Sequence, residues 1–386
     1  MTNRPLPLAG ITVVSIEQAI AAPLASRHLA DWGAEVIKIE RPGSGDFCRD
    51  YDYVMDGMSS QFVWTNRSKK SVELDIKEPA DRAVLDSLIA GADVFVQNLA
   101  PGAASRIGLG AETLVKKHPR LIACDVSGYG SNGPLSGKKA YDLLVQCEVG
   151  LPSINGDEER LAKCGVSIVD IATGMYVLQG VLMGLYARER TGHGYAFEVS
   201  LFDSISEWMS YPANYAFGAG KPLLRTGLKH ATIAPYGPFR TGDGHSVFLA
   251  VQNPREWSAF CRVVLGEHAL ENDRRFATNP DRMENRDALT REIEERFAKM
   301  SRADVVVLLD QAAIANARLN DTVQFLQHEQ LRSRERVRDI ETPVGSAIGF
   351  LPAVTIKGID PVMGAVPKLG EHSLELRNRV AQGDRA

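Results

Sequence analysis

The segments Ile11-Thr-Val-Val-Ser-Ile16 and Glu35-Val-Ile-Lys-Ile-Glu40 decide the fold of this chain. Both are rich in β-branched residues, and the stretch from Ala21 to Trp32 between them has the pattern of a helix that Gly33 ends. Strand, helix and strand at this spacing are typical of two parallel strands joined by a crossover helix. The N-terminal part of the chain therefore predicts a parallel sheet covered by helices.

The same alternation continues to about residue 200. Its further members are the strand Ser71–Ile76, the helix Pro79–Ile89, the strand Asp93–Gln97, the helix Glu112–Lys117, and the strands Leu121–Val126 and Ala196–Ser200. Ligands of such sheets bind beyond the carboxyl ends of the strands. The loops expected to form a site are therefore 18–22, 41–46, 98–102 and 127–134.

The chain has 386 residues, which is enough for two domains. Beyond about residue 218 the composition shifts to Gly, Pro, Arg and Lys, and the turn Thr241-Gly-Asp-Gly244 before the strand Ser246–Val251 predicts a hairpin. Charge-rich helical segments follow. We therefore expect a large domain at 1–224, a small α+β domain at 225–325 and a return to the large domain at 326–386.

Composition excludes several classes of protein. Hydrophobic residues make up 44% and charged residues 24%, which argues against general disorder, and the net charge of −4 argues against a nucleic-acid partner. The five cysteines form no CxxC and the eight histidines no HxxxH or HExxH, so we expect reduced thiols and no metal site. The first residues lack the apolar core of a signal peptide, and we expect a cytoplasmic protein without a membrane partner.

One candidate for chemistry is Asp170, in Gly165-Val-Ser-Ile-Val-Asp-Ile-Ala-Thr-Gly174. The apolar run from Met175 to Tyr186 behind it is too short and too interrupted for a bilayer span and predicts a buried core helix. Aspartate at a helix start is often only an N-cap. Asp170 could also be a nucleophile, because its carboxylate is expected to stay ionised among apolar groups. Gly165 and Gly174 would leave room for a ligand. Both interpretations remain open from these residues alone.

The segment Gly128-Tyr-Gly-Ser-Asn-Gly133 fits the GxGxxG pattern of dinucleotide-binding proteins. Pro134 follows where the phosphate-binding helix should begin, and no acidic residue ends a strand about twenty residues later. We therefore interpret it as a strand-to-helix turn, open to contact with some other ligand.

Several polar residues fall at the same predicted rim. Arg41, Lys77, Arg106 and Lys139 lie near the carboxyl ends of strands, and together they favour an anionic ligand with phosphates. Glu17 and Gln18 end the first strand and are expected to face the same cleft. Asp142 is expected to cap a helix and also to be a candidate ligand-side group, whereas structural roles are expected for His230 and Tyr236.

These features together resemble the class III CoA-transferases, the family of formyl-CoA transferase and carnitine CoA-transferase, which also contains α-methylacyl-CoA racemase. The resemblance covers nearly the whole chain. It rests on Pro7-Leu-Ala-Gly-Ile11, Ala30-Asp-Trp-Gly-Ala-Glu-Val-Ile-Lys-Ile-Glu-Arg-Pro-Gly43, Asn66-Arg-Ser-Lys-Lys-Ser71, Gln97-Asn-Leu-Ala-Pro-Gly102, Gly128-Tyr-Gly-Ser-Asn-Gly-Pro134, Ala234-Pro-Tyr-Gly237 and Leu369-Gly-Glu-His372.

The resemblance implies a Rossmann-like large domain built from both chain ends, an inserted small domain, and a homodimer of two chains interlocked like rings. Asp170 matches the family's nucleophile. The implied CoA contacts are Ala21, Arg41, Leu74, Lys77, Asn98, Arg106 and Lys139.

Three departures from the family pattern bear on the substrate or on the type of reaction. Gln18 and Ile20 stand where the formyl-CoA enzyme has His and Gln, which argues against formyl or oxalyl substrates. The glycine-rich flap of that enzyme is missing before Ala234. Tyr141 stands where the racemases have their histidine, and a tyrosine with an ordinary pKa near 10 is a poor base.

The resulting expectation is a CoA-transferase that moves CoA from an acyl-CoA to a free carboxylic acid without metal or redox cofactor. Asp170 is the expected nucleophile. The backbone N–H groups near Gly128–Gly130, with Gln18 and Asp142, are expected to position or stabilise the charge that develops on oxygen. Succinyl-CoA is the leading donor and a short dicarboxylate the leading acceptor, because Arg225 and Lys229 supply positive charge near the domain junction. A carnitine-like or aryl acid remains an alternative. The alternatives are an acyl-CoA epimerase of the racemase type and a non-catalytic CoA-binding protein.

Overall fold

Six strands form one parallel sheet in the computed structural model, which describes residues 4–383. They are β1 (Thr12–Ile16), β2 (Glu35–Glu40), β3 (Lys69–Glu73), β4 (Val94–Gln97), β5 (Ile122–Ser127) and β6 (Ala196–Ser200). Their order is β3-β2-β1-β4-β5-β6, and every neighbouring pair is parallel. The order reverses between β1 and β4, as in Rossmann-like domains. The predicted fold class is confirmed.

Helices cover both faces of this sheet. In chain order they begin with α1 (Ala21–Asp31), α2 (Ser60–Asn66), α3 (Pro79–Gly91), α4 (Ala103–Arg106), α5 (Ala111–Lys117), α6 (Asp142–Glu148), α7 (Ile168–Thr191), α8 (Leu201–Trp208) and α9 (Ser210–Ala219). Successive residues of a strand point to opposite faces. Val13 accordingly packs in a core with residues of α1 and α7, and Val14 in a second core with residues of α3 and α5.

Helix α7 is longer than the sequence predicts. Its 24 residues begin at Ile168. By length and composition alone this helix could cross a membrane, and in its most apolar part fewer than half of the residues are buried. The expected core helix therefore extends beyond the apolar run Met175–Tyr186 at both ends, and the length of the whole helix does not argue against a bilayer span. Val169, Val177 and Val181 belong to the core of the sheet, so α7 is a core helix with one exposed face.

The glycines of α7 allow close packing. A Cβ at Gly174 would lie 2.6 Å from the carbonyl oxygen of Ala21 at the start of α1. A Cβ at Gly180 would overlap the ring of Phe197 in β6, and Gly184 faces β5 at similarly short range. Gly174 therefore accommodates a helix and not a ligand, which corrects the interpretation given to it above.

Contacts divide the chain into two compact units. One comprises Met1–Leu151, Cys164–Tyr211 and Gln330–Ala386, and the other Pro152–Lys163 and Pro212–Glu329. The second unit thus begins at Pro212, before the expected position 225, and it also takes in 152–163.

The second unit contains a small antiparallel sheet and a helical layer. Its strands are β7 (Tyr236–Arg240), β8 (Ser246–Ala250) and β9 (Ala315–Ala317), and its helices include α10 (Pro254–Ala259), α11 (Asn279–Glu284), α12 (Arg286–Phe297), α13 (Arg302–Gln311) and α14 (Thr322–Leu326). Phe260, Phe276 and Phe297 are fully buried and lie in one apolar core.

The C-terminal segment returns to the first unit. It comprises α15 (Glu329–Ser333), the hairpin of β10 (Val337–Thr342) and β11 (Gly345–Phe350), and α16 (Ser373–Ala381). The backbone N–H of His372 donates to the carbonyl of Ser71 at 3.0 Å, and Arg379 forms an ion pair with Glu35 at 2.8 Å. These bonds attach α16 to the β2–β3 edge of the large sheet.

Candidate functional site

Asp170 lies in the first turn of α7 and is not its N-cap. The N-cap residue is Ser167, whose side chain makes no capping hydrogen bond. The free N–H groups of this turn are instead satisfied by Asp142, whose Oδ1 accepts from Val169 at 2.8 Å and from Asp170 at 3.3 Å. Asp142 therefore leaves the Asp170 carboxylate available for other contacts.

Asp142 is the first residue of α6, and the helix that its side chain caps is α7. Its Oδ2 accepts from the side-chain amide of the buried Gln146 at 2.6 Å, and Oε1 of Gln146 accepts from the backbone N–H of Cys164 at 3.0 Å. This chain of bonds holds the segment before α7 against α6. Asp142 is thus a supporting residue of the site.

The electrostatics of Asp170 differ from the expectation of a fully ionised carboxylate. Burial raises the pKa of Asp170 to about 7, and the like charge of Asp142 acts in the same direction. Its carboxylate accepts no hydrogen bond from residues 4–383. At neutral pH about half of the Asp170 side chains are therefore protonated.

Tyr51 is a neighbour of Asp170 that the sequence did not indicate. Burial raises the pKa of the Tyr51 phenol, and nearby groups that include Asp170 and Tyr141 raise it further. Tyr141 itself is exposed as the N-cap residue of α6. No motif around Tyr51 marks it, because its proximity to Asp170 comes from the tertiary fold.

The loop after β1 is joined to the loop after β4 at the point where the sheet order reverses. The backbone N–H of Gln18 donates to Oδ1 of Asn98 at 2.9 Å, and Nδ2 of Asn98 donates back to the carbonyl of Gln18 at 2.8 Å. Asn98, expected to contact CoA, uses its amide to fix the position of Gln18.

A cleft of about 250 Å³ lies at the carboxyl ends of the first four strands. Four residues identified from the sequence line it, namely Gln18, Arg41, Leu74 and Lys77. Arg41 and Lys77 are exposed, and their side chains form no ion pair within the described part of the chain. The cleft therefore offers an apolar wall and two cations to an anionic ligand.

The remaining predicted contacts lie outside this cleft. Arg106 and Lys139 are exposed. The guanidinium of Arg106 covers the turn at Gly102, where a Cβ would lie 2.9 Å from Nη1 of Arg106. Ala21 is buried against α7. Asp170 is not part of the cleft lining either.

The glycine turn after β5 has its own internal bond. The N–H of Gly130 donates to Oγ of Ser127 at 3.0 Å, and Gly128 packs so closely on Ala140 that a Cβ would lie 2.4 Å away. Gly130 adopts a φ of 86°, which favours glycine. The N–H of Gly130 is thus engaged and is not free to bind an oxyanion.

In the second unit, Arg225 is engaged in structure. Its guanidinium donates to the carbonyls of Asp157 and Glu158 at 2.8 and 2.9 Å. The rings of His230 and Tyr236 stack with centroids 5.0 Å apart. Arg225 is therefore a poor candidate for binding a substrate carboxylate, in contrast to the expectation above.

Comparison with known proteins gives a consistent result. A family model described as CoA-transferase family III matches residues 8–373. The chain is 32% identical over 384 residues to succinyl-CoA:glutarate CoA-transferase of Mus musculus, covering 98% of this chain and 87% of that protein. It is 32% identical over 381 residues to acetyl-CoA:oxalate CoA-transferase of Acetobacter aceti, covering 97% and 96%.

Solved structures agree with these sequence matches. A CAIB/BAIF family protein from Brucella suis superposes with a TM-score of 0.83 at 31% identity, covering 98% of this chain and 100% of that one. The similarity therefore extends through both compact units.

Proposed function

The chain belongs to CoA-transferase family III, and we propose that it transfers CoA from an acyl-CoA to a free carboxylate by covalent relay through Asp170. The observation that carries this proposal is the state of Asp170. It is a half-buried carboxylate without a hydrogen-bond partner in residues 4–383, at the start of a core helix. A carboxylate that is poorly solvated and unpaired is a better nucleophile than one held in an ion pair.

The relay needs four steps. An oxygen of Asp170 attacks the thioester carbonyl of the donor, the C–S bond breaks, and a mixed anhydride and CoA thiolate form. The thiolate attacks the aspartyl carbonyl and releases the donor acid as a carboxylate. The acceptor carboxylate then attacks the aspartyl thioester and frees the thiolate, which attacks the acceptor carbonyl and regenerates Asp170. No net proton or electron is consumed, and covalent relay replaces one difficult exchange by easier steps.

The other residues take distinct roles. Arg41 and Lys77 bind the phosphates of CoA at the cleft, since both are exposed cations beside apolar Leu74. Gln18, whose position Asn98 fixes, is our candidate for stabilising negative charge that develops on oxygen.

Asp142 is not suited to stabilise an oxyanion. It carries a negative charge, and its two oxygens already accept hydrogen bonds from the first turn of α7 and from Gln146. Its proposed role is to orient the Asp170 backbone and to raise the pKa of the nucleophile. A more basic carboxylate is a stronger nucleophile once it is ionised.

For the acids, we propose succinyl-CoA as donor and a short dicarboxylate as acceptor. The names of the two relatives support this, since glutarate and oxalate are both short dicarboxylates. The acetyl-CoA:oxalate relative keeps oxalate in the test panel even though Gln18 and Ile20 argue against it. We also propose that the working unit is a cytoplasmic interlocked homodimer.

The test is trapping of the covalent intermediate. Purified protein is mixed with succinyl-CoA, acetyl-CoA or oxalyl-CoA, quenched with hydroxylamine and examined by peptide mass spectrometry. We expect a donor-dependent hydroxamate on Asp170, and Asp170→Asn should bind CoA but form none. A label on Asp142, or normal turnover by Asp170→Asn, would contradict the proposal. Exchange of the α-proton with heavy water, without any label, would favour the epimerase alternative.

A further inference from the structure

Four charged side chains lie completely inside the protein beneath the loop after β1. Glu17, Lys38, Asp46 and Lys69 are between 0% and 3% exposed. Lys38 Nζ lies 2.6 Å from Oδ2 of Asp46 and 3.7 Å from Oε1 of Glu17, and Lys69 Nζ lies 2.7 Å from the same Glu17 oxygen. Two anions and two cations thus balance in one network.

Such a network is costly to bury unless every member is paired. Here the pairing is extensive, because Lys69 also donates to the carbonyl of Pro23 at 2.9 Å and Ser26 donates to Glu17 at 2.7 Å. Lys69 and Lys38 together hold the pKa of Glu17 below its usual value even though burial opposes this. Stability alone does not require this arrangement, since apolar side chains of similar volume usually stabilise a core as well.

The network has a direct connection to the site loop. Oδ1 of Asp46 accepts the backbone N–H of Ala19 at 3.0 Å, while its Oδ2 accepts from Lys38. Ala19 has a φ of 63°, in the left-handed region that residues other than glycine rarely adopt. Lys38 also donates to the carbonyl of Glu17 at 3.3 Å. Asp46 and Lys38 therefore bind the backbone on both sides of Gln18.

Strained backbone persists only where its surroundings determine it, and it concentrates at functional sites. Gln18 lines the cleft, and Ala19 follows it directly. If Ala19 relaxed to an ordinary extended or helical φ, the chain direction at Gln18 would change. The buried network thus determines where Gln18 lies.

We propose that Asp46, held by Lys38, is a positioning residue for the transfer reaction and acts through the left-handed Ala19 on Gln18. This inference rests on the proposed function, because it assigns the effect to the reaction at Asp170. The network is the anchor of the loop, and Arg41 and Lys77 remain free to bind CoA.

The test separates positioning from stability. Asp46→Ala is assayed for kcat per active site, with sites counted by hydroxamate labelling of Asp170. Glu17 is then the one anion between Lys38 and Lys69, so we expect a less stable protein. In its folded fraction, kcat per site should fall on the order of tenfold, with an almost unchanged KM for the acyl-CoA. Adding Ala19→Gly should recover much of the loss, since glycine adopts a positive φ at little cost.

The matched control is Asp52→Ala. Asp52 is a carboxylate of the same segment that accepts from Ser60 at the start of α2 at 3.0 Å, so its loss should lower stability and leave kcat per site unchanged. If Asp46→Ala fails to fold, Ala19→Val decides instead, because it strains the loop and leaves all four charges paired. It should lower kcat per site severalfold.

An unchanged kcat per site in the folded Asp46→Ala protein, or in Ala19→Val, would overturn the inference. So would a loss in Asp46→Ala that Ala19→Gly does not reduce, since the effect would then not pass through the left-handed residue. Absence of any label on wild-type Asp170 would instead refute the proposed function, so that the two failures are distinguishable.

Discussion

Replacing Asp142 by Asn should make the enzyme active at lower pH. Asparagine keeps an oxygen at the position that accepts from Val169 at 2.8 Å, so the cap of α7 is retained. What disappears is the negative charge that helps to raise the pKa of Asp170 to about 7. Asparagine does lose the acceptor for the side-chain amide of Gln146, so the midpoint of the pH profile, and not the absolute rate, reports the electrostatic role of Asp142.

The size of the effect follows from the two causes of the pKa. Burial is the larger cause and remains in the variant, so the pKa of Asp170 should fall by about one unit and not return to 3.8. Only the ionised carboxylate attacks, so the wild-type rate at pH 6 should be about a tenth of its plateau. In Asp142→Asn it should be about half of the variant's own plateau, and near pH 8 both should be at plateau.

The assay is the single-turnover rate of acylation of Asp170, measured by quenched flow with succinyl-CoA between pH 5 and pH 9. Asp86→Asn is the control. Asp86 lies on α3, pairs with Arg82 at 2.9 Å, and is not among the groups that raise the pKa of Asp170. An acid limb whose midpoint is the same in wild type and Asp142→Asn would refute the reasoning. A rate independent of pH down to pH 5 would show that Asp170 is not raised at all.

Two further predictions concern binding and packing. Arg41→Ala and Lys77→Ala should each raise KM for succinyl-CoA about three- to tenfold and leave KM unchanged for an acyl-pantetheine that lacks the nucleotide phosphates. Lys117→Ala, at the end of α5, is the control and should leave both KM values unchanged. Equal losses with both substrates in the Arg41 and Lys77 variants would contradict phosphate binding. Gly174→Ala should lower the free energy of unfolding by about 1–3 kcal/mol, because its Cβ would meet the Ala21 carbonyl at 2.6 Å. Thermal unfolding measures this loss, and Gly218→Ala is the control, because Gly218 lies in a helix with open space around it and its substitution should be neutral or slightly stabilising. Equal effects of the two substitutions would rule out the packing explanation.

Local pattern was enough for the architecture. The strands β2 and β6 lie where the sequence predicts them, and β1, β4 and β5 begin or end within a residue of prediction. Strands β1, β2, β4 and β5 are mostly buried runs with β-branched residues, so propensity and burial favour the same conformation. Strand β3 was predicted to begin at Ser71 but begins at Lys69. Lysine predicts a surface position, and this one is buried in the sheet because it pairs with the distant Glu17 and donates to the carbonyl of Pro23.

The site was predictable in its parts but not in its connections. Arg41, Leu74, Lys77 and Gln18 follow strands, and parallel strands bring their carboxyl ends to one edge. From the sequence, Asp170 was a candidate for the cap of α7, because an N-cap is a local signal. The actual acceptor, Asp142, lies 28 residues away in the chain. Tyr51 and Asp46 were missed for the same reason, since nothing near them in sequence records the neighbours that give them a role.

The buried Glu17 and the half-buried Asp170 have opposite electrostatic surroundings, and the difference supports the choice of nucleophile. Glu17 is paired with Lys69 and Lys38, and these cations lower its pKa. Asp170 has a second carboxylate as its neighbour instead of a cation, and its pKa is raised to about 7. An ion pair would lower the energy of the ionised carboxylate and so raise the barrier to attack. The fold pairs Glu17 completely and leaves Asp170 unpaired within residues 4–383, and this contrast supports the proposed covalent transfer through Asp170.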